Sequence, residues 1–211
     1  MAPSATVGFS WSPPPHAAVS LHEAALAAAS AFDALDIQYA LIGGIAVSTR
    51  TEPRFTQDLD WVVAVQDDAA AERVVHGLTT RGYVIDTVVE NEARNRMSTV
   101  RMEVPTGGWL VDLLFASSGI EPEIVAAAEP IEAFAGFALP VARTGHLIAL
   151  KLLARGELRP LDTADIQALI AVADDDEIAL ARTAVELIEA RGYDRGRDLR
   201  SDLASLLAPS G

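Results

Sequence analysis

The run Asp58-Leu59-Asp60-Trp61-Val62-Val63-Ala64-Val65 constrains this chain more than any other segment. Its β-branched and aromatic residues predict a central β-strand. Side chains alternate across an extended chain, so the two aspartates at its start share one face. Carboxylates that close together repel each other unless a cation or a proton neutralises them. Upstream, Leu41-Ile42-Gly43-Gly44 ends a short apolar run in a glycine pair. Such a pair lets bare backbone amides approach a phosphate. Together the two segments point to a magnesium–nucleotide site. Alone, Asp58 and Asp60 would also fit strand-end aspartates that meet arginines in ordinary ion pairs.

With 211 residues, 50% of them hydrophobic, the chain can bury a sizeable core as one compact unit or two small domains. It has no cysteine, which excludes disulfides, thiolate catalysis and cysteine-bound zinc. No apolar run approaches the ~20 residues of a membrane span. The stretch MAPSATVGFSWSPPPHAAVS has neither the basic start nor the apolar middle of a secretion signal. A soluble cytoplasmic protein with no membrane partner is expected. The net charge of −14 argues against a broad basic grip on nucleic acid, though not against a local basic pocket. Among 16 basic residues, Lys151 is the only lysine. A codon bias toward arginine explains the scarcity; the survivor is either an accident or a residue with a task.

Residues 1–19, rich in Pro, Ser and Ala, read as a mobile arm. Helices are expected at Leu21–Leu35, Ile45–Thr51 and Asp67–Arg81, and strands at Gln38–Ile42, Asp58–Val65 and Tyr83–Val89. Ser98–Val104 and Trp109–Phe115 form a hairpin around Pro105-Thr106-Gly107-Gly108. Short strands fit near Ile131 and over Phe137–Val141. Helical periodicity then takes over at Gly145–Arg155, Asp162–Ala173, Glu177–Ala190 and Arg195–Leu207. The chain thus divides into an α/β part, 20–142, and a helical part, 143–211.

A third acid, Asp112, stands inside the apolar run Trp109–Phe115, where burial is costly without a metal or a partner. Were its strand to lie beside the first, three carboxylates would converge. Magnesium commonly bridges such carboxylates to substrate phosphates.

Gly43-Gly44, Asp58-Leu59-Asp60 and the later Asp112 resemble the signature of the polymerase-beta-type nucleotidyltransferase superfamily. The form Ile-Gly-Gly-Ile-Ala-Val, followed by Arg54-Phe55-Thr56-Gln57-Asp58-Leu59-Asp60, is similar to the AbiEii/AbiGii-type toxin branch. His146 to Arg155 and Asp162-Thr-Ala-Asp165 resemble that branch's helical Lys-x₃-Arg and Asp-x₂-Asp elements. The resemblance covers roughly residues 35 to 170. It implies an α+β fold: a small mixed β-sheet core flanked by helices, then a C-terminal helical bundle.

It further implies transfer of a nucleoside monophosphate from a nucleoside triphosphate (NTP) to an acceptor. Asp58 and Asp60 would bind Mg2+ or Mn2+, with Asp112 as third ligand or as base for the acceptor hydroxyl. Gly43 and Gly44 would hold the triphosphate and Lys151 would face its phosphates. Arg54 would neutralise the triphosphate, as would Arg50, unless they pair with Asp58 or with surface acids. Thr56 joins this nucleotide-binding set, although a cap at the start of its strand suits it better. Asp162 is expected to cap a helix, and Asp165 to orient Lys151 or a substrate group, with Arg155 as its partner. The acceptor is a tRNA end, a protein or a small molecule, and an antitoxin protein is a candidate partner. The rival reading is a non-catalytic nucleotide-binding or regulatory protein of the same fold. His16, His22, His76 and His146 suggest no metal site, and Trp11, Trp61 and Trp109 are too scattered for base stacking.

Overall fold

A computed structural model describes residues 19–54, 56, 58–105, 108–156 and 160–208. The expected arm, apart from Val19, lies outside the described residues, as do Phe55, Gln57, Thr106 and Gly107.

Helix α1 (Leu21–Ala34) starts with a capping box: the Glu23 amide donates to Ser20 Oγ, and the Ser20 amide donates to the Glu23 carboxylate. Strand β1 (Tyr39–Leu41) follows, then α2 (Gly43–Arg50) and β2 (Asp58–Val63). Helix α3 (Asp68–Thr79) leads to β3 (Val84–Asn91), β4 (Arg96–Glu103) and β5 (Leu110–Leu114). Helix α4 (Glu121–Ala126), β6 (Glu129–Phe134) and β7 (Phe137–Val141) complete the α/β part. From Thr144 every described element is helical: α5 (Thr144–Ala154), α6 (Pro160–Val172), α7 (Asp175–Ala190) and α8 (Leu199–Leu207).

The seven strands form one mixed sheet in the order β3-β4-β5-β2-β1-β7-β6. β2 pairs parallel with β5 and β1 parallel with β7, while the other pairings are antiparallel. The strand that starts with the two aspartates is therefore the central one, fourth from either edge. Its Leu59, Trp61, Val62 and Val63 are completely buried. Trp61 meets the rings of Phe32 and Tyr39, both at 5.4 Å between centroids, so it is a core residue.

The helical part packs on the same core, which runs without interruption from Ala24 to Leu203. α5 packs on α7, α6, α8 and α2. A Cβ on Gly145 would collide with the Glu177 carbonyl, so the approach of α5 to α7 requires glycine. This packing carries Lys151 to the sheet.

Candidate active site

Strand register places the acids. In the parallel β2–β5 pair, Asp60 stands beside Asp112 and Asp58 beside Leu110. In the antiparallel β4–β5 pair, Arg101 stands beside Asp112. Asp60, Asp112 and Arg101 thus form a row across three neighbouring strands, which are spaced about 4.8 Å apart. Asp58 lies one step nearer the open end of β2 on the same face. It is exposed, whereas Asp60 is half-buried.

Arg101 grips Asp112 with both arms of its fork: Nε donates to Oδ1 at 2.7 Å and Nη2 to Oδ2 at 2.6 Å. Those hydrogen bonds raise the Arg101 pKa above its ordinary value. Desolvation opposes the rise, and the charges of Asp112, Asp58 and Asp60 add to it. Among the described residues, no group of three or more His, Asp or Glu side chains forms a ready-made metal cage. The expected set of Asp58, Asp60 and Asp112 is thus not assembled as one ligand group, because Asp112 turns both oxygens to Arg101.

The glycine pair is the first turn of α2, two residues earlier than the expected helix start. Gly43 has φ of +65°, and a Cβ there would collide with the Asp60 carboxylate. A Cβ on Gly44 would come within 2.7 Å of Thr56 Oγ1 and 3.1 Å of Arg54 Nη2. Glycine is needed at both positions for bare backbone to pass the carboxylate and the segment that leads into β2. No side chain caps α2, whose N-cap residue is Ile42. An uncapped helix start presents amide donors and the positive end of the helix dipole, which suits an anion.

The opposite wall is α5 with α6. Lys151 Nζ donates to Asp162 Oδ1 at 2.9 Å and pairs with Asp165 Oδ2 at 2.8 Å. Arg54 Nη2 reaches the same Asp165 oxygen at 2.8 Å. The expected contact between Asp165 and Lys151 is present. Asp162, however, lies inside the first turn of α6, which begins at Pro160, so it does not cap that helix. Arg155 pairs with Asp202 at 3.5 Å rather than with Asp165. Arg50 turns away from the site, to Glu129 and to the carbonyls of Val141 and Ala142. There it ties α2 to the strands at the far side of the sheet.

Both ends of α5 are pinned. The Glu177 carboxylate accepts from the Gly145 amide at 2.6 Å and from Arg143 Nε at 2.8 Å. Arg197 donates to the carbonyls of Leu152, Leu153 and Arg155. An acid at the helix start and a cation at its end both complement the helix dipole. His146, on the same helix, is buried, and burial pushes its pKa down to about 4. Its charged neighbours are Glu177, Arg143 and Glu123, away from the cleft lining.

Between these walls lies a cleft of about 600 Å³. Asp58, Asp60, Asp112 and Asp162 line it together with Arg54, Arg101, Lys151 and Arg195, and Leu147, Leu150 and Leu161 form an apolar side. Gly43, Gly44 and Thr56 also line it. Of the expected site residues Asp165 and Arg50 are absent from the wall: Asp165 is held by Lys151 and Arg54, and Arg50 by Glu129 and the Val141 and Ala142 carbonyls. Arg101 and Arg195 were not foreseen. Arg101 had a signal: a hairpin symmetric about Thr106 and Gly107 pairs position 101 with 112.

The residues fit a magnesium ion in two respects. Asp58 and Asp60 offer hard oxygen donors on one face, and the missing Cβ of Gly43 lets the Asp60 carboxylate lie against the start of α2, where amide donors face the anions that a metal would bridge.

A mixed sheet with aspartates at one strand's open end, a glycine-started helix beside them and a helical second part define a nucleotidyltransferase-type α+β protein. The family model described as Nucleotidyl transferase AbiEii toxin, Type IV TA system, matches residues 24–209. The chain belongs to that family and is a nucleotidyltransferase. No curated protein matches the sequence. Several solved structures are similar, three of them as follows. The first is an antigenic nucleotidyltransferase-like protein from Paracoccidioides brasiliensis, with 19% identity and TM-score 0.47 over 90% of this chain and 94% of that one. The second is ANT(2")-Ia in complex with adenylyl-2"-tobramycin, with 15% identity and TM-score 0.48 over 89% and 99%. The third is the lincosamide antibiotic adenylyltransferase LnuA, lincomycin-bound, with 16% identity and TM-score 0.47 over 74% and 99%. Likeness at this level says nothing about substrate or acceptor.

Proposed function

We propose that this chain transfers a nucleoside monophosphate from an NTP to an acceptor in a reaction that depends on Mg2+ or Mn2+, and that it acts in the cytoplasm as the toxin of a toxin–antitoxin pair. The observation that carries the reading is the register of Asp60 beside Asp112, one strand from the uncapped start of α2. Asp58 and Asp60 would hold the metal, which supplies positive charge to the phosphates and the departing pyrophosphate. Amides of Gly43 and Gly44 hold triphosphate oxygens, and Arg54 and Thr56 flank them. Lys151 presents a compact ammonium to the phosphates from across the cleft, and Asp165 fixes its direction. Asp112, once Arg101 leaves it, would serve as the third metal ligand or accept the proton of the attacking hydroxyl. Catalysis is positional and electrostatic: the α/β part carries the acids and the helical part supplies the counter-charge.

The acceptor belongs to one of three classes: a tRNA end, a protein hydroxyl or a small molecule. At a net charge of −14, RNA meets long-range repulsion, so a tRNA end would rely on the local cations Arg54, Arg101, Lys151 and Arg195. Membership of a Type IV toxin–antitoxin family supports a paired antitoxin protein.

The test is incubation of wild type and Asp58→Ala with each α-labelled NTP, Mg2+ and cell extract. Wild type labels a discrete product that Asp58→Ala does not. Equal labelling by both proteins refutes the reading. Growth arrest on induction of wild type, but not of Asp58→Ala, tests the toxin role.

A further inference from the structure

We propose that Arg101 is the resting counter-ion of Asp112 and must leave that carboxylate before a divalent cation can be shared by Asp60 and Asp112. The inference rests on the nucleotidyltransferase reading above and adds a limit on cation number: one ion at Asp58 and Asp60 at rest, and a second only when Arg101 swings out.

The geometry is specific. Arg101 and Asp112 are direct cross-strand neighbours, and the guanidinium engages both carboxylate oxygens at 2.7 and 2.6 Å. A bidentate pair of this kind is among the stronger hydrogen-bonded contacts, and the guanidinium stays charged at any ordinary pH. A cation shared by Asp60 and Asp112 would lie beside that positive charge, and it would either bear the repulsion or displace it. Displacement has a route. The Arg101 side chain is 39% exposed against 14% for Asp112, so the arginine can turn into water while the carboxylate stays in place. Beyond β4 lies only β3, the last strand on that side, with Thr87 opposite Arg101. The guanidinium is thus the protein's own stand-in for a cation, in place until it is displaced. Asp58 and Asp60 sit one strand away on β2: Asp58 faces Leu110 and Asp60 faces Asp112 across β5, and the Arg101 charge acts on both carboxylates as well as on Asp112.

The experiment counts bound Mn2+ by loss of the free-ion electron paramagnetic resonance signal, without nucleotide, so that the readout is independent of turnover. Wild type is expected to bind one ion per chain. Arg101→Met and Arg101→Gln are expected to bind two, with the first about tenfold tighter than in wild type because one unit of repulsion is gone. Arg101→Met with Asp112→Asn is expected to return to one. Two neutral variants are used so that a folding defect in one, seen by thermal melt, does not decide the result. If both folded variants bind a single ion, or bind it more weakly than wild type, the proposal is overturned and Arg101 is a positioning residue for Asp112. If wild type binds no ion and Asp58→Asn behaves identically, the metal reading of the site fails, and this inference with it. That outcome is distinguishable from the first because wild type itself is empty.

Discussion

Lys151 is bound to two nearly buried acids, and removing it should cost stability as well as activity. Its side chain is 15% exposed, that of Asp162 is 6% and that of Asp165 is 4%. Lys151→Met keeps the apolar stem but leaves two carboxylates without their shared cation. Breaking a buried ion pair by removing one partner costs about 3–5 kcal/mol. Asp165 retains Arg54 at 2.8 Å, which puts the expected loss at the low end, about 3 kcal/mol. With a urea slope of about 2–3 kcal/mol/M for a chain of this size, the midpoint should fall by roughly 1 M. Lys151→Met combined with Asp162→Asn removes one of the stranded charges and should regain more than half of that loss. It should regain no nucleotide transfer, because the ammonium that faces the phosphates is still missing. That split separates the structural role from the substrate role. If Lys151→Met unfolds within about 0.3 kcal/mol of wild type, as an exposed pair would, the cluster is solvated and the argument for a buried counter-charge fails.

His146 gives a pH dependence. Its folded pKa of about 4 lies below its ordinary 6.5, so the unfolded chain takes up the proton first as pH falls. Its contribution is fully present above about pH 6.5 and lost toward pH 4. Between pH 7 and 5 wild type should lose about 2 kcal/mol through this group, and urea midpoints of His146→Leu should lack that component; equal pH slopes would refute it. Gly43→Ala forces a side chain into a positive-φ position for about 1 kcal/mol and pushes on the Asp60 carboxylate. Transfer activity should therefore fall far more than the melting temperature; a variant with unchanged turnover would show that Asp60 tolerates the shift. Arg197→Ala frees three carbonyls at the end of α5 and should cost about 1–2 kcal/mol, with faster amide exchange in the last turn of α5 as the local readout.

Most elements were legible because their cores have clean periodicity: the Asp58 strand, the hairpin partners and the first three late helices lie within about two residues of where the pattern puts them. The departures come from information that periodicity lacks. Gly43 and Gly44 read as loop because glycine weakens a helix, yet close approach to Asp60 and Thr56 makes them the first turn of α2. The helix expected from Arg195 begins at Leu199 because Arg195 and Gly196 hold positive φ values of 59° and 73°. α4 is six residues long with a proline in its first turn, too short for a periodic signal. Arg50 looked available to a phosphate because its partners, Glu129 and the Val141 and Ala142 carbonyls, lie about eighty to ninety residues further along the chain. A local reading sees charge but not the distant group that neutralises it.

The same blindness applies to the acid that first drew the strands together. Asp112 looked costly to bury without a metal, and that reasoning was sound as far as it went: an acid in an apolar strand needs a cation. The cation in place is Arg101, eleven residues upstream and directly across the hairpin. Lys151 follows the same rule from the opposite wall, since its acids lie within the first two turns of the next helix and are invisible as partners until α5 and α6 pack. Asp112 and Lys151 are thus each already held by a counter-charge of the protein's own. Binding is an exchange of partners at these points, so its affinity depends on how readily Arg101 and Asp162 give way. Variants that weaken those internal pairs should each tighten a different ligand: removing Arg101 tightens the metal, whereas Asp162→Asn leaves Lys151 held by Asp165 alone and tightens the nucleotide. Nucleotide titration of Asp162→Asn by calorimetry tests the second half, and weaker binding than wild type would mean that Asp162 positions Lys151 rather than competing for it.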